Sequence, residues 1–356
     1  MTGKLILSDG TVFLGQSFGS EGRESGGLSS TSGEVVFNTG MVGYPESLTD
    51  PSYFGQILIL TYPLVGNYGV PNKSFWESKR IQVKGLIVQN YIDHHSHFES
   101  QKTLAQWLKE EGIPALQGID TRFLTIKLRE HGVMGGRVEI ESKSQRVKEI
   151  YDPNAENVLK YVSTDKVLTY GDGKKHIILI DCGVKENIIR SLLKRKVKVT
   201  RVPWDFNPLV AKIGFDGVLI SPGPGDPKMA KATIITVKAL LEANIPTFGI
   251  CLGSQILARA SGGNTYKLKF GHRGQNQPVI DQNSKKAIQT AQNHGFAVDM
   301  QSLGKDWIEW FINLNDGTNE GIRHNRKPFM AVQFHPEASP GPVDAGYLFD
   351  EFLDYL

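Results

Sequence analysis

The sequence predicts an α/β protein of two domains: a mixed α/β domain followed by one with a mostly parallel central sheet. Three observations predict it. The chain's 356 residues suffice for two separate cores. The second half repeats short apolar runs followed by amphipathic stretches, the βα rhythm of a parallel sheet, whereas the first half mixes strand and helix signals without regular alternation. Between Tyr151 and Lys175 the periodicity fades into turn material, Asp152-Pro-Asn and Gly171-Asp-Gly. The expected division is 1–150, a linker over 151–175, and 176–356.

In the first half, Leu5-Ile-Leu-Ser and Thr11-Val-Phe-Leu flank Asp9-Gly10, a hairpin signal. Glu34-Val-Val-Phe, Gln56 to Thr61 and Lys84 to Gln89 read as strands. Thr103 to Glu111 is expected as a helix, with Leu104, Trp107 and Leu108 on one face and Gly112 and Pro114 ending it. Thr121 to His131 is a second helix, stopped by Gly132. His94, His95 and His97 share a stretch that Asp93 and Ser96 make naturally polar, and no metal is expected.

In the second half, His176 to Asp181, Lys198 to Val202 and Phe215 to Ser221 read as buried strands. Lys185 to Lys196 and Lys231 to Ala243 read as helices, the former with Ile188, Ile189, Leu192 and Leu193 inward. The fourth strand, Thr247 to Ile250, runs into Cys251, with Gly249 two residues before and Gly253 two after. This is the spacing of a nucleophile elbow, with sulfur as the nucleophile. A strand that turns directly into a helix cramps the backbone, and glycine neighbours avoid the clash. A helix N-terminus also favours thiolate over thiol. A buried structural cysteine is the competing reading.

A thiolate nucleophile needs a base and an orienter. His335 follows the apolar run Met330 to Phe334 and precedes Pro336-Glu337. In extended chain, residues two apart point the same way, so Glu337 can fix the His335 tautomer. The Gly223-Pro-Gly225 turn and the N–H of Leu252 are candidate oxyanion donors. Asn293-His-Gly-Phe suits substrate contacts, and His294 is a second candidate base. In a parallel sheet these stretches lie at the carboxyl ends of the strands, where sites form.

Composition excludes several classes. A net charge of +3 implies no nucleic-acid or membrane partner, and the basic clusters Lys143–Lys148 and Lys194–Lys198 read as solvated faces. Two cysteines make no disulfide framework and suit a reducing cytoplasm. Met1 to Gly10 lacks the apolar core of a signal peptide, and no apolar run approaches the ~20 residues of a membrane span.

Phe248-Gly-Ile-Cys-Leu-Gly-Ser-Gln, Gln292-Asn-His-Gly-Phe-Ala-Val-Asp and Gln333-Phe-His-Pro-Glu-Ala resemble class I glutamine amidotransferases. Asn38-Thr-Gly-Met-Val-Gly-Tyr, Leu48-Thr-Asp-Pro-Ser-Tyr, Gly118-Ile-Asp-Thr-Arg and Leu128-Arg-Glu-His-Gly resemble the N-terminal domain of carbamoyl phosphate synthetase small chains, as do Ser221 to Pro227, Phe270-Gly-His-Arg-Gly and His335 to Pro342. The resemblance runs over almost the whole chain. It implies that Cys251 is the nucleophile, His335 the general base and acid, and Glu337 its orienter. It implies glutamine contacts from Ser52, Gly223, Gly225, Leu252, Gln255, Asn293, Gly295 and Phe296. Because Ser52 lies in the first half, it also implies a pocket at the domain interface. Ser254 and Pro222 depart from the family, where many members carry His and Asn; neither removes a group the chemistry requires.

The chain has no phosphate-binding Gly-x-x-x-x-Gly-Lys-Ser/Thr loop and is too short for two ATP-using domains. The resemblance therefore implies no cofactor in this chain. ATP and Mg2+ would belong to a separate large chain, which takes ammonia through a tunnel to make carbamoyl phosphate for pyrimidine and arginine synthesis. The pair would be a heterodimer or a higher oligomer of heterodimers. An amidotransferase serving anthranilate or GMP synthesis is a second reading, disfavoured because an elbow domain alone would suffice. A catalytically idle scaffold is a third, disfavoured because all three catalytic residue types are present.

Overall fold

The computed structural model describes residues 1–21, 30–140, 149–211 and 213–356. The cluster Lys143–Lys148 lies outside them. The chain divides into two compact units, Met1–Pro153 and Asn154–Leu356.

The first unit is organised by a closed seven-stranded barrel. Its strands are β1 (Thr2–Leu7), β2 (Val12–Ser17), β3 (Ser30–Asn38), β4 (Gln56–Leu60), β6 (Gly85–Ile87), β8 (Ala115–Gln117) and β9 (Met134–Ile140), in the order β1-β2-β8-β6-β4-β3-β9. A small parallel pair, β5 (Leu64–Val65) and β7 (Asn90–Tyr91), stands apart from it. The Asp9-Gly10 hairpin forms, pairing Leu5 with Phe13, and Gly10 takes φ 88°. The helices are α1 (Tyr44–Thr49), α2 (Leu104–Glu110) and α3 (Thr121–His131). Thr103 caps α2 in a capping box with Gln106, and Gly132 ends α3. α2 buries Leu104, Trp107 and Leu108, and the Trp107 ring lies 4.5 Å from that of Trp76. Closure into a barrel leaves no unpaired sheet edge, which the irregular alternation of short strands does not announce. His94 and His97 are exposed, and among the described residues they form no metal-like cluster.

The second unit is a ten-stranded sheet covered on both faces. Its first strands are β10 (Leu168–Tyr170), β11 (His176–Asp181), β12 (Lys198–Pro203), β13 (Gly217–Ile220) and β14 (Thr247–Ile250). Then follow β15 (Asn264–Asp281), β16 (Ala287–Asp299), β17 (Trp307–Asn313), β18 (Asn319–His324) and β19 (Phe329–Val332). The order is β10-β12-β11-β13-β14-β19-β18-β17-β15-β16, with β12, β11, β13, β14 and β19 parallel. The helices are α4 (Leu159–Val162), α5 (Glu186–Lys194), α6 (Lys231–Glu242), α7 (Leu252–Ala260) and α8 (Tyr347–Leu353).

Alternation sorts β11 between two cores: Ile177 and Leu179 pack with Ile188, Leu192 and Phe352 of α5 and α8, while Ile178 and Ile180 pack with Val237, Leu240 and Ile256 of α6 and α7. A strand buried on both faces therefore reads as a continuous apolar run. The stretch 151–175, expected as linker, holds α4 and β10, and β10 extends the sheet by pairing antiparallel with β12. Lys194 and Lys196, at the end of α5, are exposed. No helix among the described residues is long and apolar enough to cross a membrane.

Candidate active site

The parallel strands deliver the site at their carboxyl ends. β14 ends at Ile250 and α7 begins at Leu252, so Cys251 alone makes the turn, at φ 52° and ψ −107°. A non-glycine residue held there costs roughly 1–3 kcal/mol, which its surroundings must enforce. They do. Cys251 N–H donates to the Val332 carbonyl at 2.8 Å, and the Cys251 carbonyl accepts from the N–H groups of Ser254 and Gln255. The two glycines are required by space. A Cβ on Gly249 would meet the Gly253 carbonyl oxygen at 2.5 Å, and one on Gly253 would meet the Ile220 carbonyl oxygen at 2.1 Å.

Cys251 is buried, its Sγ 3.6 Å from the Asn293 carbonyl oxygen, and it borders the core under β14. It is not sealed in apolar packing, because the imidazole of His335 adjoins it. His335 lies beyond β19, pinned by its N–H to the Ala291 carbonyl at 2.9 Å and by the buried ring of Phe334 before it. Its Nδ1 is 2.6 Å from Glu337 Oε1, while Nε2 is buried and makes no hydrogen bond. Burial opposes charge on the ring, but the carboxylate of Glu337 and the sulfur of Cys251 outweigh it and raise His335 well above its ordinary range, against the pull of Lys185. Burial likewise works against the Glu337 carboxylate, yet Lys185 and His335 hold it far below its usual range.

Lys185 is the member of this group that reading the sequence missed. It stands just before α5, its Nζ 3.1 Å from Glu337 Oε1 and donating to the Ala338 carbonyl at 2.5 Å. Asn187 donates to the Glu337 carbonyl at 2.5 Å. The available signal was position: both residues follow the carboxyl end of a parallel strand, β11.

The second unit also holds most of the other expected residues. Leu252 opens α7, so its N–H is among those with no intrahelical acceptor. A Cβ on Gly223 would touch the Leu252 side chain at 2.9 Å, so that loop runs past the elbow; Gly225, two residues on, takes φ 86°. Gln255 Nε2 donates to the Phe296 carbonyl at 2.9 Å and to Gln333 Oε1 at 3.0 Å. Asn293, Gly295 and Phe296 lie within β16, beside a break in its pairing with β15. The departure Ser254 donates its hydroxyl to the Cys251 carbonyl at 2.8 Å and so braces the elbow. The carbonyl of the other departure, Pro222, accepts from the Ser221 hydroxyl at 2.8 Å. His294 is buried, its Nδ1 paired with the Phe296 carbonyl at 2.9 Å. Ser52 belongs to the first unit, in the turn Pro51–Tyr53; its N–H donates to Asp50 Oδ1 at 2.8 Å, while its buried hydroxyl makes no hydrogen bond among the described residues.

Strand, elbow, helix and a His–Glu pair beyond the neighbouring strand define a class I glutamine amidotransferase domain, and the family model of that description matches residues 178–355. A second model, carbamoyl-phosphate synthase small chain, CPSase domain, matches residues 5–138. The arginine-specific small chain of carbamoyl phosphate synthase from Neurospora crassa is 45% identical, covering 98% of this chain and 78% of that one. The chain belongs to the carbamoyl phosphate synthase small-chain family. Longer relatives contain a matching stretch: the multifunctional protein CAD of Squalus acanthias (48% identical over 98% of this chain) and the human mitochondrial carbamoyl-phosphate synthase [ammonia] (45% over 100%). The chain spans only 16% and 24% of their lengths.

Proposed function

We propose that this chain is the glutamine-hydrolysing subunit of a carbamoyl phosphate synthase. The observation that carries the reading is the strained elbow cysteine facing an imidazole whose far nitrogen is fixed by a buried carboxylate at 2.6 Å. Glu337 accepts a hydrogen bond from His335 Nδ1–H, which leaves Nε2 for the sulfur. The imidazole, with its proton affinity so raised, already holds the thiol's proton as an imidazolium, and the thiolate attacks the side-chain carboxamide carbon of glutamine. The N–H of Leu252 and backbone donors of the Gly223 loop stabilise the oxyanion. His335 protonates the departing nitrogen, and ammonia leaves a glutamyl thioester. His335 then deprotonates a water molecule, which attacks the thioester carbonyl; glutamate leaves and the thiol is restored. Ser52, Gln255, Asn293, Gly295 and Phe296 are the proposed glutamine contacts.

The ammonia goes to a large synthetase chain that uses bicarbonate and ATP with Mg2+, serving arginine and pyrimidine synthesis in the cytoplasm as a heterodimer or an assembly of heterodimers. Relatives named as small chains, and multifunctional relatives several times longer, support such a partner. The match over residues 5–138 weighs against an anthranilate or GMP acceptor. The test is glutamine-dependent and ammonia-dependent synthesis by the wild type and Cys251→Ser, each combined with the large chain. Glutamine-dependent synthesis and glutaminase turnover are expected to vanish in the variant while ammonia-dependent synthesis survives; glutaminase turnover unchanged by the substitution would end the proposal.

A further inference from the structure

A second buried polar cluster lies behind the reacting groups, and the glutaminase steps do not use it. His272 on β15, His294 on β16 and Glu320 on β18 bring three ligand-type atoms within 4.8 Å of one another. Glu320 is fully buried. Its Oε1 is 3.1 Å from His272 Nδ1 and 3.6 Å from His294 Nε2, and the other ring nitrogen of His272 is 2.8 Å from Asp316 Oδ2.

Two histidines and a carboxylate suggest a cation, but one neighbour argues for a proton instead. Asn313 Nδ2 stands 3.2 Å from Glu320 Oε1 and 3.4 Å from His272 Nδ1. The amide cannot turn its oxygen inward, because Asn313 Oδ1 already accepts the Asn315 N–H at 2.9 Å. A fixed N–H donor therefore points at the place an ion would occupy. Burial disfavours charge on His272, but Glu320 and Asp316 overcome it and raise its affinity for a proton. Burial keeps His294 below its ordinary range. The cluster places His272 between two carboxylates, with His294 beside one of them.

Its position gives it a task. The β15–β16 ladder breaks between the pairs Lys267–Phe296 and His272–His294, so backbone pairing is interrupted at Gly295, two residues past Asn293, whose carbonyl faces Cys251 Sγ. Side chains take over there: His294 Nδ1 and Gln255 Nε2 both donate to the Phe296 carbonyl. Glu320 also accepts the Gln333 N–H on its own carbonyl at 2.9 Å, two residues before His335. We infer that Glu320 is a positioning residue for the glutamine site, holding Asn293, Gly295 and Phe296 against the elbow through His272, whose ring packs edge-on against that of His294. The inference rests on the glutaminase reading above.

The test uses Glu320→Leu and Glu320→Gln in the complex with the large chain. Loss of a buried charged hydrogen bond that acts only on substrate placement should raise the glutamine KM of Glu320→Leu roughly tenfold with little change in kcat. The charged and titratable groups facing the cluster are His272 and Tyr266 of β15, His294 of β16 and Asp316 before β18. In Glu320→Gln His272 keeps only the Asp316 carboxylate and its affinity for a proton falls, so the KM of this variant should climb with rising pH sooner than that of the wild type. Amide hydrogen exchange at Asn293 to Phe296 should quicken in both variants by more than it does in the β11–β14 core, whatever the fall in melting temperature. Unchanged KM and unchanged exchange in Glu320→Leu would overturn the assignment. So would a fall in kcat at an unchanged KM, or one divalent metal per chain that Glu320→Leu loses. Should Cys251→Ser retain glutaminase activity, the functional reading fails, and the exchange measurement still judges the positioning claim.

Discussion

Lys185 sets the charge balance at the candidate site. Burying Glu337 and His335 side by side costs both their hydration, and a third buried charge decides how their proton is shared. Lys185 is only 2% exposed and touches the same carboxylate oxygen as the imidazole. Lys185→Met should therefore lower the unfolding free energy in urea by about 3–5 kcal/mol, the usual cost of leaving one buried partner unpaired. The double variant Lys185→Met, Glu337→Gln should recover much of that loss. The pH dependence follows from the direction of each shift. Glu337 is held to about 2, so its contribution is present above its ordinary 4.5 and is lost as pH falls toward 2. His335 is raised to about 10, so its contribution is complete below 6.5 and is lost as pH rises toward 10. The wild type should thus lose stability across that alkaline window more steeply than His335→Asn, as measured by denaturant midpoints from pH 6 upward.

The elbow is where one element's local rule is also the site's rule. Gly253 packs its Cα against the Ile220 carbonyl because α7 must start directly under β13 to carry Cys251 forward. Gly253→Ala would drive a methyl group into backbone that cannot rotate away. It should cost about 1–3 kcal/mol in thermal unfolding, in the range of overpacking, and shift the sulfur enough to remove most glutaminase turnover. This element was legible in the sequence because its glycines, apolar run and cysteine lie within eight residues, and so was the His335–Glu337 pair, two residues apart. β11 to β14 and their helices were legible for the same reason: a strand buried on both faces is a local apolar run. The long hairpin of β15 and β16 was not. Its residues Asn264 to Asp299 are mostly polar, half-exposed and interrupted by a register break, so neither period shows. Lys185 and Glu320 were missed because their partners lie 152 and 48 residues away, beyond any spacing rule.

At the scale of the whole chain, one of the proposed glutamine contacts comes from a different unit than the rest. Cys251, His335, Glu337 and Lys185 all belong to Asn154–Leu356, while Ser52 belongs to Met1–Pro153. A buried hydroxyl without a hydrogen bond is a cost to folding, and alanine removes it without leaving an unpaired partner. If Ser52 served only the first unit's packing, Ser52→Ala would be neutral or slightly stabilising and kinetically silent. If its hydroxyl is retained for glutamine, the same variant should melt no lower than the wild type yet show a glutamine KM raised about five- to tenfold, the loss of one hydrogen bond. Ammonia-dependent synthesis should not change, because that route bypasses glutamine. Urea unfolding and glutamine saturation curves on one preparation separate the two cases, and an unaltered KM would confine glutamine recognition to the second unit.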